Sequence, residues 1–84
     1  MIEKKEDPAQ QYAIRVSTNL RLLMANERVI KNKELAEKSG VSAVTISLIK
    51  NDNQGKLRPK FTTLVSLAEG LNVDINELLK EVSV

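Results

Sequence analysis

The sequence predicts an all-α fold in which five helices form one compact domain. Apolar side chains recur every three or four residues in several segments, which is the period of a helix that packs on one face. No segment of useful length shows the strict alternation of a half-buried strand. The chain has 84 residues, about half the length of an average domain, so we expect a single unit.

The first helix is predicted to begin at about Gln10 and to end near residues 26–28. Residues 1–9 are polar, and we expect them to be a flexible segment that precedes a domain of residues 10–84. The helix is indicated by a stripe of apolar residues at spacings of four, three and one, namely Val16, Leu20, Leu23 and Met24.

A second helix is predicted over residues 33–39, with Leu35 and Ala36 facing inward. Gly40 follows it directly, at a position where a left-handed conformation favours glycine. Ala36 is small enough for two helices to cross closely at that point. The segment therefore predicts a tight turn between two helices.

The third helix is predicted from Ala43 to Lys50, with Ser42 as its N-cap. Ile46 and Ile49 would face the core, and the opposite face of the helix would then point outward. Two helices joined by a tight turn, the second with a free outer face, are what a helix-turn-helix needs to enter a major groove.

Two further helices follow a polar loop over residues 51–56. The last helix is predicted over residues 75–82, with Asp74 and Glu77 as a capping box. The fourth is indicated by a second apolar stripe, namely Phe61, Leu64, Leu67, Ala68 and Leu71.

The composition excludes several classes of function. The chain has no cysteine and no histidine, so disulfides, zinc sites of thiolate or imidazole ligands, and catalysis by Cys or His are ruled out. No Ser or Lys lies in a recognisable catalytic arrangement, and we expect neither an enzyme nor a bound metal or cofactor. No apolar run is long enough to span a membrane, and no secretory signal is visible, so a cytoplasmic protein is expected.

The charge is distributed unevenly along the chain, although the net charge is only +2. Residues 42–60 carry a net charge of +3, from Lys50, Lys56, Arg58 and Lys60 against Asp52. Residues 61–84 carry a net charge of −3, from Glu69, Asp74, Glu77 and Glu81 against Lys80. The middle of the chain is therefore suited to a polyanion, and the end is not.

The chain resembles the Cro/repressor-type helix-turn-helix family of phage and bacterial regulators over about residues 14–80. The resemblance is carried by residues 33–42 with Thr45, Ile46 and Ser47, and further along by Pro59, Leu64, Ala68, Leu71, Val73, Leu78 and Leu79. It implies a lambda-repressor-like bundle of five helices that binds operator DNA, usually as a dimer.

The resemblance also implies a set of DNA-binding residues. Candidates for contact with base edges, on the outward side of the third helix, are Ser42, Ala43, Val44, Ser47 and Leu48. Candidates for contact with phosphates are Asn32, Asn51, Arg58 and Lys60, and Lys50 and Lys56 lie in the same cationic region.

The chain departs from the family at several of these positions. Ala43, Val44 and Leu48 stand where such proteins commonly have polar side chains, and they cannot form the paired hydrogen bonds that distinguish guanine or adenine. Val44 and Leu48 could contact thymine methyl groups, contact a protein, or be ordinary scattered surface residues. Lys31 stands where a Ser or Thr cap is usual, and Ser39 where an apolar residue is usual.

The sequence therefore predicts a sequence-specific regulator of transcription that binds double-stranded DNA, acting as a dimeric repressor on a pseudo-palindromic operator. Val82 and Val84 are hard to bury in one small domain, and a two-fold contact between C-terminal helices would cover them. The alternative is a protein-interaction module with the same fold, such as an antitoxin-like or regulatory partner.

Overall fold

The computed structural model describes residues 7–26 and 29–82. Those residues form five helices and no strand, so the all-α prediction is confirmed. The helices are α1 (Pro8–Ala25), α2 (Asn32–Ser39), α3 (Ala43–Lys50), α4 (Phe61–Leu71) and α5 (Asn76–Leu79). Most of the predicted flexible segment (residues 1–6), residues 27–28 at the predicted end of the first helix, and Val84 lie outside the described residues.

Helix α1 begins at Pro8, two residues before the predicted start at Gln10. Asp7 is its N-cap, because its Oδ1 accepts a hydrogen bond from the Ala9 backbone N–H at 3.0 Å. Pro8 then occupies the first helical position, where its fixed φ suits the helix and its missing N–H costs nothing. Residues 7–9 thus belong to the folded domain.

The five helices enclose one apolar core. Helix α2 packs against α3 and α4, and α1 packs against α3 and α5. The predicted stripes of the first three helices supply much of this core, as expected. The buried side chains that form this core are Val16, Leu20, Met24, Leu35, Ile46, Ile49, Leu67, Ala68 and Leu78.

Helices α2 and α4 approach each other closely at Ser39 and Gly70. A Cβ added to Gly70 would lie 2.8 Å from the Ser39 Cβ and 3.1 Å from Leu35 Cδ1. Glycine is therefore required inside α4, although it weakens a helix intrinsically. The small Ser39 side chain, unusual for the family at this position, matches that close contact.

Phe61 does not share the packed face of α4 with the rest of the predicted apolar stripe, because this residue is 68% exposed. Phe61 is the first residue of α4, and side chains in a helix tilt toward its N-terminus. The side chain of a first helical residue therefore points away from the rest of its helix, while Leu64, Leu67, Ala68 and Leu71 pack on the core.

Helix α5 is shorter than the predicted span of residues 75–82. The buried Asn19 side chain donates through Nδ2 to the carbonyls of Leu78 and Lys80, each at 2.9 Å. These bonds give two carbonyls at the end of the helix a partner in α1. Only half of the predicted capping box forms, since Asp74 Oδ1 accepts from the Asn76 N–H while Glu77 pairs with Lys80.

Candidate nucleic-acid interface

The turn between α2 and α3 has the tight geometry that the sequence predicts. Gly40 adopts a left-handed conformation with a φ of 78°, and its N–H donates to the Ala36 carbonyl at 2.9 Å. Ser39 Oγ accepts from the Val41 N–H at 3.1 Å, and Ser42 Oγ accepts from the Thr45 N–H at 3.1 Å. The turn and the start of α3 are therefore fixed by hydrogen bonds on both sides of Gly40.

Helix α3 has one buried face and one open face. Ile46 is 0% exposed and Ile49 is 3% exposed, whereas Val44 is 70% and Leu48 is 56% exposed. None of the five residues predicted to face bases is buried. The helix thus presents a largely apolar outer surface next to a tight turn.

The C-terminus of α3 is held by two polar residues of α1. Ser17 Oγ donates to the Lys50 carbonyl at 2.9 Å, and Ser17 is fully buried. Arg21 Nη1 donates to the same carbonyl, to Ser17 Oγ at 2.9 Å and to Asn53 Oδ1 at 3.0 Å. A cation at a helix C-terminus also interacts favourably with the helix dipole.

Sequence reasoning missed the roles of Ser17 and Arg21. Their only local signal is that Ser17 lies beside Val16 on the buried stripe of α1, where a polar side chain needs a partner. That partner lies 33 residues further along the chain, and the sequence does not identify it.

Asn32 and Lys50 connect the first residue of α2 to the last residue of α3. Lys50 Nζ donates to Asn32 Oδ1 at 2.9 Å. Because an amide oxygen only accepts, this bond turns the Asn32 Nδ2 group, which only donates, away from the ammonium group. A donor group and a cation thus lie side by side at the start of α2.

The loop after α3 is shaped by Asp52 and Gly55. The Asp52 carboxylate accepts from the backbone N–H groups of Lys56 at 2.8 Å and Leu57 at 2.9 Å. Gly55 has a φ of 69°, and a Cβ there would lie 2.5 Å from the Gln10 carbonyl oxygen. Gln10 Nε2 in turn donates to the Gln54 carbonyl at 2.9 Å. The loop is therefore fastened to α1.

The remaining candidates for phosphate contact differ in how they are held. Arg58 Nη2 pairs with Asp7 Oδ2 at 3.0 Å, and its Nη1 donates to the carbonyls of Gly55 and Leu57. Lys60 is exposed at the N-cap position of α4, and Asn51 Nδ2 donates to Ser47 Oγ at 3.4 Å. Arg58 is therefore partly engaged within the protein, while Lys60 extends into solvent.

A groove of about 340 Å³ separates α3 from the segment that leads into α4. Leu48 and Thr45 line one side of this groove, and Arg58, Pro59 and Lys60 line the other. The structure thus places the apolar outer face of α3 next to two of the cationic side chains predicted to meet phosphates. Asn32 and Lys50 lie at the junction of α2 and α3 instead.

The described part of the chain contains no cluster of three or more acidic side chains that could hold a metal ion. Over the same residues, no helix combines the length and apolar character that a membrane span requires.

The fold is similar to that of several bacterial regulators of known structure. The chain superposes on the restriction-modification controller protein C.AhdI from Aeromonas hydrophila with a TM-score of 0.65, at 20% identity over 79% of this chain and 94% of that one. It superposes on the clp gene regulator ClgR from C. glutamicum with a TM-score of 0.65, at 26% identity over 87% of both chains. For the hypothetical transcription factor NHTF from Neisseria the TM-score is 0.68, at 20% identity over 94% of this chain and 87% of that one.

The sequence itself matches no curated protein. It does match the family model of the Cro/C1-type HTH DNA-binding domain over residues 19–82, which include α2, α3, α4, α5 and most of α1. The matched residues contain the tight turn, the open face of α3 and the cationic loop described above. The chain therefore belongs to the family of Cro/C1-type helix-turn-helix DNA-binding domains, which regulate transcription and are not enzymes.

Proposed function

We propose that this protein is a sequence-specific regulator of transcription that inserts α3 into the major groove of double-stranded DNA. The observation that carries the proposal is the contrast between the two faces of α3. Ile46 and Ile49 fix the helix on the core, while Val44 and Leu48 stay open beside the cationic groove. The residues that would meet base edges are Ser42, Ala43, Val44, Ser47 and Leu48.

Backbone contacts would come from Asn32, Asn51, Arg58 and Lys60. Asn32 and Lys60 lie at the starts of α2 and α4, and neither helix has a side-chain hydrogen bond at its N-cap. The first N–H groups of these helices are therefore available to an anion, and the positive ends of the helix dipoles favour it. Phosphate contacts of this kind position a protein on DNA, while base contacts specify the sequence.

The protein is proposed to act as a homodimer on a pseudo-palindromic operator. Two-fold symmetry would place two copies of α3 in major grooves about one helical turn, roughly 10 base pairs, apart. Val82, beyond the end of α5, stays partly exposed in the single chain, and a contact between C-terminal segments would cover it. The similar structures are named as a controller protein, a gene regulator and a hypothetical transcription factor, which supports a regulatory role. Such a homodimer would repress transcription by occluding polymerase, which requires no surface of the domain beyond those that bind DNA and the second copy.

A fluorescence anisotropy titration with fragments of the source genome at two salt concentrations tests this function. We expect the affinity to fall steeply as salt rises, because each neutralised phosphate releases counterions. No binding at low salt, or an affinity that salt does not change, would contradict the proposal. In that case the exposed Val44 and Leu48 would favour the alternative, a module that binds a protein partner.

A further inference from the structure

The side chains on α3 that point toward solvent offer apolar surface and little hydrogen-bonding capacity. Residues 42–49 include no Arg, Lys, Asn, Gln, Asp or Glu. Ser42 Oγ already donates to Thr45 Oγ1 at 2.9 Å and accepts from the Thr45 N–H. Ser47 Oγ already accepts from Asn51 Nδ2. The paired hydrogen bonds that distinguish guanine from adenine therefore have no source along this face.

The apolar groups of α3 form one continuous patch. Val44 and Leu48 are four residues apart, so their side chains are neighbours on the helix surface. Both are more than half exposed, and neither packs on the core. In the major groove the apolar feature that such a patch can contact is a methyl group on C5 of a pyrimidine.

We propose that α3 recognises the C5-methyl group whichever pyrimidine carries it. The protein would then bind 5-methylcytosine as well as thymine and discriminate against unmethylated cytosine. This inference rests on the proposed DNA-binding function. Thymine and 5-methylcytosine carry the same methyl group on the same ring carbon. They differ at the neighbouring O4 or N4 group, which only a hydrogen-bonding side chain could distinguish. The side chains of Val44 and Leu48 have no hydrogen-bonding group.

The charges around the patch fit a DNA ligand rather than an apolar protein. Lys60 and Arg58 line the groove that Leu48 also lines, and Lys50 ends the same helix. These cations would bind phosphates on either side of the groove and supply affinity that does not depend on sequence. Discrimination between methylated and unmethylated pyrimidines would then depend on the methyl contacts. Each contact that fully buries one methyl group would raise the affinity about fourfold.

The test uses the full chain and a duplex selected from genomic fragments. Each thymine of the bound site is replaced in turn by deoxyuridine, which lacks only the methyl group. At every position where the affinity falls, the T·A pair is then replaced by C·G and by 5-methylcytosine·G. We expect thymine and 5-methylcytosine to bind alike, and deoxyuridine and cytosine to bind about fourfold more weakly at each such position.

Two variants assign the effect to α3. Val44→Ala should reduce the difference between methylated and unmethylated duplexes. Val29→Ala should leave it unchanged, because Val29 is 69% exposed, like Val44, but lies outside α3. Affinity that follows the base pair and ignores the methyl group would overturn the inference while leaving DNA binding intact. A chain that binds no duplex at low salt would overturn the proposed function itself.

Discussion

Lys50 Nζ donates a hydrogen bond of 2.9 Å to Asn32 Oδ1 and so ties the end of α3 to the start of α2. The backbone of Lys50 is itself fixed, since its carbonyl accepts hydrogen bonds from Ser17 and Arg21. The bond leaves the Asn32 Nδ2 group free to donate to an acceptor outside the protein. A phosphate has only acceptor oxygens, so this orientation of the amide is the one that the proposed contact of Asn32 with a phosphate would use.

Lys50→Met and Asn32→Ala are therefore expected to weaken DNA binding in a coupled way. Asn32→Ala removes the amide that would donate to a phosphate, and Lys50→Met removes the bond that orients this amide. Each change should therefore cost about 1 kcal/mol, or roughly fivefold in affinity. In the double variant the loss should be smaller than the sum, with a coupling energy of at least about 0.5 kcal/mol. Anisotropy titrations of the three variants measure it.

Lys80→Met is the control for the lost charge, because Lys80 pairs with Glu77 at the acidic end of the chain. Its effect on affinity should be small. Strictly additive losses for Lys50→Met and Asn32→Ala would show that Lys50 does not orient Asn32.

The double change Arg58→Ala with Lys60→Ala is expected to weaken binding to every DNA sequence. Lost phosphate contacts should also reduce the slope of log affinity against log salt by about one for each residue in each bound protomer. The measurement is a salt titration on the selected operator and on an unrelated duplex. Weakening confined to the operator would mean that these residues do not contact phosphates.

Arg58 also has an internal role that needs its own control, because it pairs with Asp7. Asp7→Asn removes this ion pair but keeps an effective N-cap on α1. An exposed pair of this kind stabilises the fold by at most about 1 kcal/mol. If Asp7→Asn reduced DNA affinity as much as Arg58→Ala does, the contribution of Arg58 would come from the ion pair and not from phosphate.

Gly55→Ala is expected to destabilise the domain by about 3 kcal/mol or more. The left-handed backbone alone costs about 1–2 kcal/mol for a residue with a side chain. The new Cβ would also lie 2.5 Å from the Gln10 carbonyl oxygen and 2.9 Å from Ile14 Cγ1. Urea unfolding measures the free energy of unfolding of the variant.

Gly40→Ala is the matched control, because Gly40 has a φ of 78° but no atom lies within 4 Å of a Cβ placed there. Only the backbone cost of about 1–2 kcal/mol is expected. Equal losses for the two variants would mean that the loop can move away from α1 to admit the methyl group at no cost in stability.

Much of the interface could be predicted from local sequence. The bounds of α3 agree with the prediction, because Ser42 caps the helix and Gly40 makes the turn before it. The buried residues of α2 and α3 follow from helical spacing. The roles of Ser17, Asn19 and Arg21 did not emerge, because their partners lie 29 to 61 residues away along the chain. The exposed position of Phe61 depends on where α4 begins, which periodicity does not define.

Asn19→Ala is expected to lower the free energy of unfolding by about 1–3 kcal/mol, because it leaves the carbonyls of Leu78 and Lys80 without their partner. Hydrogen exchange of the amides in α5 should accelerate as the helix detaches from α1. Asn76→Ala, a change of an exposed amide in α5 itself, should have little effect. Unchanged exchange in the Asn19 variant would show that other contacts hold α5 in place.

The affinity of Val44→Glu for the selected operator tests most directly whether the outer face of α3 enters the major groove. Val44 is 70% exposed, so the variant should fold normally, which circular dichroism would verify. A carboxylate facing the phosphates and acceptor-rich base edges of the groove should reduce binding by at least about tenfold. Val29→Glu, at an equally exposed position outside α3, should have a much smaller effect. Wild-type affinity in the Val44→Glu variant would show that the outer face of α3 does not enter the groove.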